Sequence, residues 1–226
     1  GYATARSLPS FVNLHIETGL ANGISLLHHA MDGGTPLVLT SGNKDIRKLT
    51  EGRTDLVEMV RQFTKWSVEI THAEQIPGVL RRAFNEAKTP PTGPVYVGIA
   101  ANAMEDEADV EILPSPRGYF QTAADPDAVR AAAGLLAKAS SPIMVVGDRL
   151  AQSAGTDAAV RLAELLGARV YTTSYARMNF PSGHPQFLGR ISPSLPASRE
   201  VLASGDVVLA VGTDVFSGFF YFSGGS

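Results

Sequence analysis

Short apolar runs alternate along this chain with longer segments whose apolar residues recur every three to four positions. The runs have the length and composition of buried strands, and the longer segments have the spacing of helices that cover a sheet. Because strands and helices alternate, the pattern predicts mostly parallel sheets with helices on both faces, an α/β fold of two consecutive doubly wound domains. The predicted strands are 11–15, 36–40, 64–70, 93–99, 142–147, 170–173 and 207–212, and the predicted helices are 18–31, 55–62, 71–88, 125–139, 156–166 and 197–203.

A change of composition interrupts the alternation near the middle of the chain. Residues 104–109 are acidic, and residues 113–118 are rich in proline. This texture is typical of a linker, so we predict a first domain at 1–101, a linker at 102–124 and a second domain at 125–226. Within the first domain, residues 44–53 carry several lysines and arginines and little apolar pattern, which predicts an exposed loop.

Composition and charge narrow the classes of function. The 226 residues carry a formal net charge of -3, which provides no basic field for nucleic acid or for an acidic membrane surface. No apolar run reaches the roughly 18 residues of a membrane span. The chain has no cysteine, which excludes disulfides, thiolate metal ligands and a cysteine nucleophile. We therefore expect a cytoplasmic protein that binds neither nucleic acid nor membrane.

His15 is the strongest single candidate for chemistry. It ends the first predicted strand and precedes a glycine-containing turn that opens a helical pattern. Open α/β sheets bind their ligands at the carboxyl ends of strands, and an imidazole at that position is suited to proton transfer near neutral pH. The alternative is a histidine that is hydrogen-bonded at a sheet edge for structural reasons, and the pattern alone leaves both open.

Metal and nucleotide motifs are incomplete in this sequence. The histidines have no HxxxH or HExxH spacing, and the carboxylates form no loop of alternating ligands. Gly147 and Gly212 each end a predicted strand, as in nucleotide-binding α/β folds, but neither belongs to a full G-x-G-x-x-G. From the residues alone we predict no metal ligands, and a dinucleotide site lacks its motif.

Several short motifs, in their order and spacing, resemble those of the thiamine diphosphate-dependent 2-oxo acid decarboxylases. The resemblance spans nearly the whole chain. The Phe-Val-Asn-Leu-His run that ends at His15 favours the benzoylformate branch, because acetolactate synthase-like members have a Gly-Pro-Gly turn there. The motifs are 1–3, 11–15, Gly19 with Asn22, 65–67, 93–97, Phe180-Pro181 with His184-Pro185, and 206–209.

The resemblance implies three α/β domains and a cofactor. Residues 1–101 would be most of the domain that holds the aminopyrimidine ring of thiamine diphosphate, and residues 125–226 most of the central domain. A third domain, which binds the diphosphate through Mg2+, and a glutamate that activates the cofactor would lie outside this chain. The chain is therefore expected to be an internal piece of a larger enzyme. Family members place the active site between two subunits, which implies a homodimer or homotetramer.

The resemblance also implies roles for particular residues. His15 matches the family's proton-relay histidine, and the turn that would line the pyrimidine pocket contains Thr18, Gly19 and Asn22. Glu17 departs from the small residues that are usual there, so it is expected to alter the fit of the substrate. The implied reaction is the non-oxidative decarboxylation of an aromatic 2-oxo acid to an aldehyde and CO2.

Two other functions are compatible with the same residues. One is an acetolactate synthase-like carboligase, which a substrate profile of the intact protein would distinguish. The other is a non-catalytic binding or assembly module that keeps the fold without the cofactor. In family members the third domain binds the diphosphate through Mg2+ and a Gly-Asp-Gly motif. Coding sequence upstream without the activating glutamate, together with no Gly-Asp-Gly motif downstream, would favour the module.

Overall fold

Eight strands of the described residues form two parallel sheets. The computed structural model describes residues 1–6, 8–48, 52–114, 123–173, 177–191 and 196–213. The chain divides into two units, Gly1–Gln121 and Thr122–Ser226, each with its own four-stranded sheet. The predicted α/β class, with parallel strands connected through helices, is confirmed.

The first unit alternates strands and helices from its beginning. In chain order its elements are α1 (Tyr2–Arg6), β1 (Ser10–Leu14), α2 (Ile16–Asp32), β2 (Leu37–Asn43), α3 (Leu56–Val60), β3 (Trp66–Ile70), α4 (Ile76–Lys88), β4 (Pro94–Ala100) and α5 (Ala101–Glu105), with 3-10 turns at Arg61–Phe63 and Ala73–Gln75. The strand order in the sheet is β1-β2-β4-β3, and all pairs are parallel. Parallel neighbours need long crossover connections, which the helices supply.

Helices cover both faces of the first sheet. Helices α2 and α3 pack on one face of the sheet. The buried residues of this cluster come from the two helices and from β2 and β4, and they are Leu20, Leu27, Leu39, Leu56, Val60 and Tyr96. Helix α4 packs on the other face, whose buried residues include Val38, Ile70, Ala83, Ala87, Val95 and Val97. Because helices cover both faces, side chains from different strands remain accessible to a ligand at the carboxyl edge of the sheet. Ligands bind at this edge in such folds.

The second unit has the same kind of architecture. Its elements are α6 (Pro126–Leu136), β5 (Pro142–Val146), α7 (Asp148–Gln152), α8 (Thr156–Leu166), β6 (Arg169–Thr172), β7 (Phe187–Arg190), α9 (Pro196–Ala203) and β8 (Val207–Val211). The strand order is β7-β6-β5-β8, again parallel throughout. Helix α8 packs against the face that carries Met144 and Val170, and α9 packs through Val201 and Leu202 against the face that carries Ile143.

Element boundaries in the first unit differ from the predictions at two places that matter for the site. Strand β2 continues to Asn43, although the pattern predicted its end at Thr40, because Ser41, Gly42 and Asn43 stay paired with the end of β4. Helix α2 begins at Ile16, two residues before the predicted start at Thr18. Residues 49–51 of the predicted loop and 115–122 of the predicted linker lie outside the described residues.

In the second unit, strand β7 was missed by the sequence pattern. The pattern predicts no strand at residues 187–190, because Gly189, with φ of +108°, and Arg190 interrupt the apolar run. The strand lies at the edge of the sheet and pairs with β6 through an irregular register. An edge strand needs no continuous apolar sequence, since only one neighbour constrains it.

Candidate active site at the edge of the first sheet

His15 lies between β1 and α2 at the carboxyl edge of the first sheet. Strand β1 ends at Leu14, and His15 occupies the N-cap position of α2 with extended backbone angles, φ -84° and ψ 115°. The Gly19 amide donates to the His15 carbonyl at 2.6 Å, which begins the helix. The residue is exposed, so its imidazole is accessible at the sheet edge.

The residue after His15 has an unusual backbone conformation. Ile16 has a φ of 27°, which β-branched residues rarely adopt. Such strain persists only where the surroundings hold it, and it is concentrated at functional sites.

The Ile16 side chain lies close to Gly42, near the end of β2. A Cβ atom on Gly42 would lie 3.9 Å from Ile16 Cγ2 and 3.6 Å from Met104 Cε. Ile16 and Met104 therefore form an apolar patch beside the end of β2.

The predicted cofactor-binding residues Thr18, Gly19 and Asn22 lie within α2. This agrees with the helix that the apolar spacing predicts at 18–31 and corrects the turn that the family resemblance implies. Asn22 Nδ2 donates to the Thr18 carbonyl at 2.9 Å, a bond within the helix, and both residues are exposed. A Cβ on Gly19 would lie 3.3 Å from His15 Cβ and 3.4 Å from the Leu14 carbonyl carbon. Gly19 thus lets α2 begin close against β1, which explains the early start of the helix.

A chain of hydrogen bonds joins the turn after His15, meaning residues 15–17 at the N-terminus of α2, to the neighbouring strands. Thr54 Oγ1 donates to Glu17 Oε1 at 3.1 Å, and the Thr54 carbonyl accepts from Asn43 Nδ2 at 3.1 Å. Asn43 Nδ2 also donates to Glu69 Oε1 at 2.7 Å, and Arg53 Nη2 donates to the same oxygen at 2.6 Å. Thr54 and Glu17 are 37 positions apart and Asn43 and Glu69 are 26 apart, so sequence analysis found no local motif for them.

Glu17 is held in its charged form. A hydrogen bond from its own backbone amide lowers the pKa of the Glu17 carboxyl most strongly. Partial burial opposes this effect, and the Thr54 hydroxyl, Lys44 and His15 lower the pKa further. The turn therefore carries a negative charge two residues after His15.

The loop after β2 is packed more tightly than predicted. Asp45 is only 7% exposed. Arg47 donates two hydrogen bonds to its carboxylate, from Nη2 to Oδ2 at 2.8 Å and from Nε to Oδ1 at 3.0 Å. The Ile46 amide donates to Asn102 Oδ1 at 3.2 Å, and Asn102 Nδ2 donates to the Thr71 carbonyl at 2.7 Å. The prediction of an exposed loop is thus wrong for residues 44–46, because these side chains satisfy the backbone groups and fix the loop to the sheet edge.

We expect Asp45→Asn to weaken the folded state at neutral pH but not in strong acid. Hydrogen bonds from the Arg47 side chain hold the pKa of the Asp45 carboxyl at about 2, below its unfolded value of about 3.9. A depressed folded-state pKa contributes stability above the unfolded pKa, and that stability is lost as the pH falls through the folded value. The urea midpoints of wild type and variant should therefore differ above about pH 4 and converge toward about pH 2. Asp32→Asn, on the exposed surface of α2, controls for the change in net charge; a difference that is independent of pH would contradict the expectation.

In the second unit, Gly147 and Gly212 follow β5 and β8 at the carboxyl edge of the sheet. A Cβ on Gly212 would lie 2.4 Å from the Leu150 amide nitrogen, and one on Gly147 would lie 2.5 Å from the Gly212 carbonyl oxygen. The Arg149 amide donates to that carbonyl at 3.1 Å. The two glycines therefore allow two strand ends and the start of α7 to pack backbone to backbone. The space beside them is filled by the chain itself, so it is not an open cradle for a phosphate.

Motif residues that carry the family resemblance have structural roles in both units. Lys65 Nζ donates to the carbonyls of Glu86 and Thr89 at 2.5 and 2.7 Å and so caps the carboxyl end of α4. The rings of Phe180 and His184 meet edge to face with centroids 5.2 Å apart. These residues stabilise a helix end and a loop, so their presence in the motifs needs no catalytic role.

Two kinds of feature are absent from the described part of the chain. No group of three or more His, Asp or Glu side chains there is arranged to hold a metal ion. No helix there is both long enough and apolar enough to cross a bilayer.

The sequence is similar to those of known thiamine diphosphate-dependent enzymes. The family profile described as "Thiamine pyrophosphate enzyme, central domain" matches residues 129–221. A benzoylformate decarboxylase of Pseudomonas aeruginosa is 31% identical over an alignment of 225 positions, which covers 96% of this chain and 42% of that protein. The chain belongs to the thiamine diphosphate-dependent enzymes. The assignment of residues 1–101 to the pyrimidine-binding domain of such an enzyme stays a prediction.

Two further relatives resemble this chain over nearly all of its length. A probable acetolactate synthase large subunit of Methanocaldococcus jannaschii is 28% identical and aligns with 94% of this chain and 36% of that protein. The solved structure of a thiamine diphosphate-dependent 4-hydroxybenzoylformate decarboxylase from Rhodococcus jostii RHA1 superposes with a TM-score of 0.86 at 27% identity, covering 99% of this chain and 44% of that one. The chain thus spans less than half the length of these relatives.

The residues at the first sheet edge fit the ring portion of thiamine diphosphate. His15 is exposed and directly precedes Ile16, and Gly42 places no side chain between Ile16 and Met104. An apolar surface with a few convergent polar groups is the usual environment of a flat heteroaromatic ligand. The fit concerns the ring alone, because the described residues contribute no metal-ligand cluster for a diphosphate-bound Mg2+.

Proposed function

We propose that this chain forms part of a thiamine diphosphate- and Mg2+-dependent decarboxylase that converts an aromatic 2-oxo acid, such as benzoylformate, to an aldehyde and CO2. The observation that carries the proposal is the exposed His15 at a strand end, held at the start of α2 beside an apolar patch. The similarity to two enzymes named for benzoylformate and 4-hydroxybenzoylformate supports the choice of substrate class.

Each residue at the edge then has a distinct task. The His15 imidazole holds or delivers a proton to the reacting substrate, which is the usual role of an accessible histidine near neutral pH. Ile16 and Met104 exclude water from one side of the ring, and Thr18 and Asn22 present exposed polar groups from α2. When bound, the cofactor supplies the thiazolium that accepts the electron pair of the breaking carbon–carbon bond.

An acetolactate synthase-like carboligase is the second candidate function. The similarity to the Methanocaldococcus jannaschii protein supports it. Decarboxylation is favoured over it because the run that ends at His15 matches the benzoylformate branch, while the Gly-Pro-Gly turn of the acetolactate synthase-like members is missing.

We expect the full-length protein, supplied with thiamine diphosphate and Mg2+, to prefer benzoylformate to pyruvate by at least about tenfold in kcat/KM. An aromatic side chain gains more from an apolar site than a methyl group does, which is the reason for the preference. Benzaldehyde release and acetolactate formation are measured in parallel, with the cofactor omitted as the control. Acetolactate from pyruvate as the main product would replace the decarboxylase with the carboligase.

The proposal includes a homodimer or homotetramer with the active site between two subunits. Sedimentation velocity of the full-length protein with and without thiamine diphosphate measures its assembly state. An active monomer would remove this part of the proposal.

A further inference from the structure

The strained turn after His15 needs support from both of its ends. On the α2 side, the Gly19 amide binds the His15 carbonyl and Gly19 packs closely on His15. On the opposite side, the turn is tied to the segment that precedes α3 by the hydrogen bond from Thr54 to Glu17. Backbone in a sparsely populated region relaxes when such support is removed.

We propose that the Thr54–Glu17 hydrogen bond positions His15 for proton transfer, which makes Glu17 and Thr54 positioning residues. The role of His15 itself rests on the proposed function. The two side chains do not need to touch the substrate, because they act through the backbone of residues 15–17.

The position of Thr54 is well defined, because hydrogen bonds fix its own backbone and the residue that follows it. Its carbonyl accepts from Asn43 Nδ2, and Asn43 in turn binds Glu69 of β3. The next residue, Asp55, caps α3 by accepting from the Glu58 amide at 2.8 Å. The position of Thr54 is therefore set by β2, β3 and α3 together, and the hydrogen bond transmits that position to the turn.

The Glu17 carboxylate, which accepts the hydrogen bond from Thr54, is well suited to holding the turn. Hydrogen bonds to a charged acceptor are stronger than those between neutral groups. The Glu17 carboxyl remains ionised, because its pKa is lowered, and Lys44 contributes a favourable charge nearby. Loss of the Thr54 hydroxyl would remove this hydrogen bond, and Ile16 could then relax toward an ordinary φ and rotate His15 out of position.

Thr54→Val and Thr54→Ser form a matched pair of variants for the test. Valine keeps the shape of threonine but lacks the donor, whereas serine keeps the donor. We expect the amides of residues 15–20 in the full-length protein to exchange with deuterium about fivefold to tenfold faster in Thr54→Val and at the wild-type rate in Thr54→Ser. This measurement, by mass spectrometry on the peptide that contains His15, needs neither cofactor nor turnover.

Turnover of benzoylformate tests the consequence for His15. We expect Thr54→Val to lower kcat about tenfold with KM nearly unchanged, because a small misplacement of a catalytic group acts on the chemical step. Thr54→Ser should restore kcat. Unchanged exchange at residues 15–20 in Thr54→Val, or equal effects of valine and serine, would overturn the proposal, as would faster exchange with an unchanged kcat. A wild-type protein without turnover would instead refute the proposed function, and the exchange experiment would still decide whether Thr54 holds the turn.

Discussion

Replacing Gly212 by alanine is expected to destabilise the second unit by more than about 4 kcal/mol, because two costs add. Gly212 has a φ of +62°, a left-handed conformation that costs an alanine about 1–2 kcal/mol. The new Cβ would also lie 2.4 Å from the Leu150 amide nitrogen and 3.0 Å from the Arg149 carbonyl carbon. Both are backbone atoms at the start of α7, so no side-chain rotation relieves the clash.

Gly167→Ala is the matched control for this prediction. Gly167 also has a φ of +62°, but among the described residues no atom beyond Gly167 itself and its neighbours in the chain lies within 4 Å of a Cβ built there, so it carries the conformational cost alone. Urea unfolding followed by circular dichroism compares the two variants. Gly212→Ala should lower the midpoint far more than Gly167→Ala, or prevent the second unit from folding. Equal midpoints would mean that the end of β8 moves freely and that backbone packing does not fill this edge.

The fold class could be predicted because the central strands are buried on both faces. Strands β2 and β4 are flanked by α2 and α3 on one side and by α4 on the other, so their sequences are nearly continuous apolar runs. The polar end of β2 could not be predicted in the same way. Ser41 and Asn43 are buried polar residues whose partners, Tyr96 and Glu69, come from other strands, and only the register of the sheet brings them together.

The candidate site was predictable only where it is local in sequence. His15 follows an apolar run directly, so its place at a strand end is visible in the pattern. The support for the turn after it is not visible, because Glu17, Thr54 and Asn43 come from three separate segments and meet through long-range hydrogen bonds. Nothing in the sequence indicates the positive φ of Ile16, since isoleucine is among the residues that adopt such a φ least often.

His15→Ala in the full-length enzyme is expected to lower the turnover of benzoylformate about 100-fold to 10,000-fold, the range typical for loss of a general acid–base group. The affinity for thiamine diphosphate should change little, because the apolar patch of Ile16 and Met104 remains. Folding should also be preserved. His15 is exposed, and its backbone carbonyl, which accepts the Gly19 amide, is kept by alanine.

His28→Ala provides the control for a histidine lost from the same helix. His28 is exposed on α2, and its Nε2 lies 3.2 Å from Asp32 Oδ2, so its removal breaks a polar contact on the surface without touching the sheet edge. Its turnover should match that of wild type, since surface pairs contribute little. Cofactor affinity is measured by calorimetry and kcat at saturating cofactor. A large loss of affinity in His15→Ala would make the residue part of the binding surface, and an unchanged kcat would remove it from the proton transfer, because a general acid–base group cannot be deleted without slowing the step that it serves.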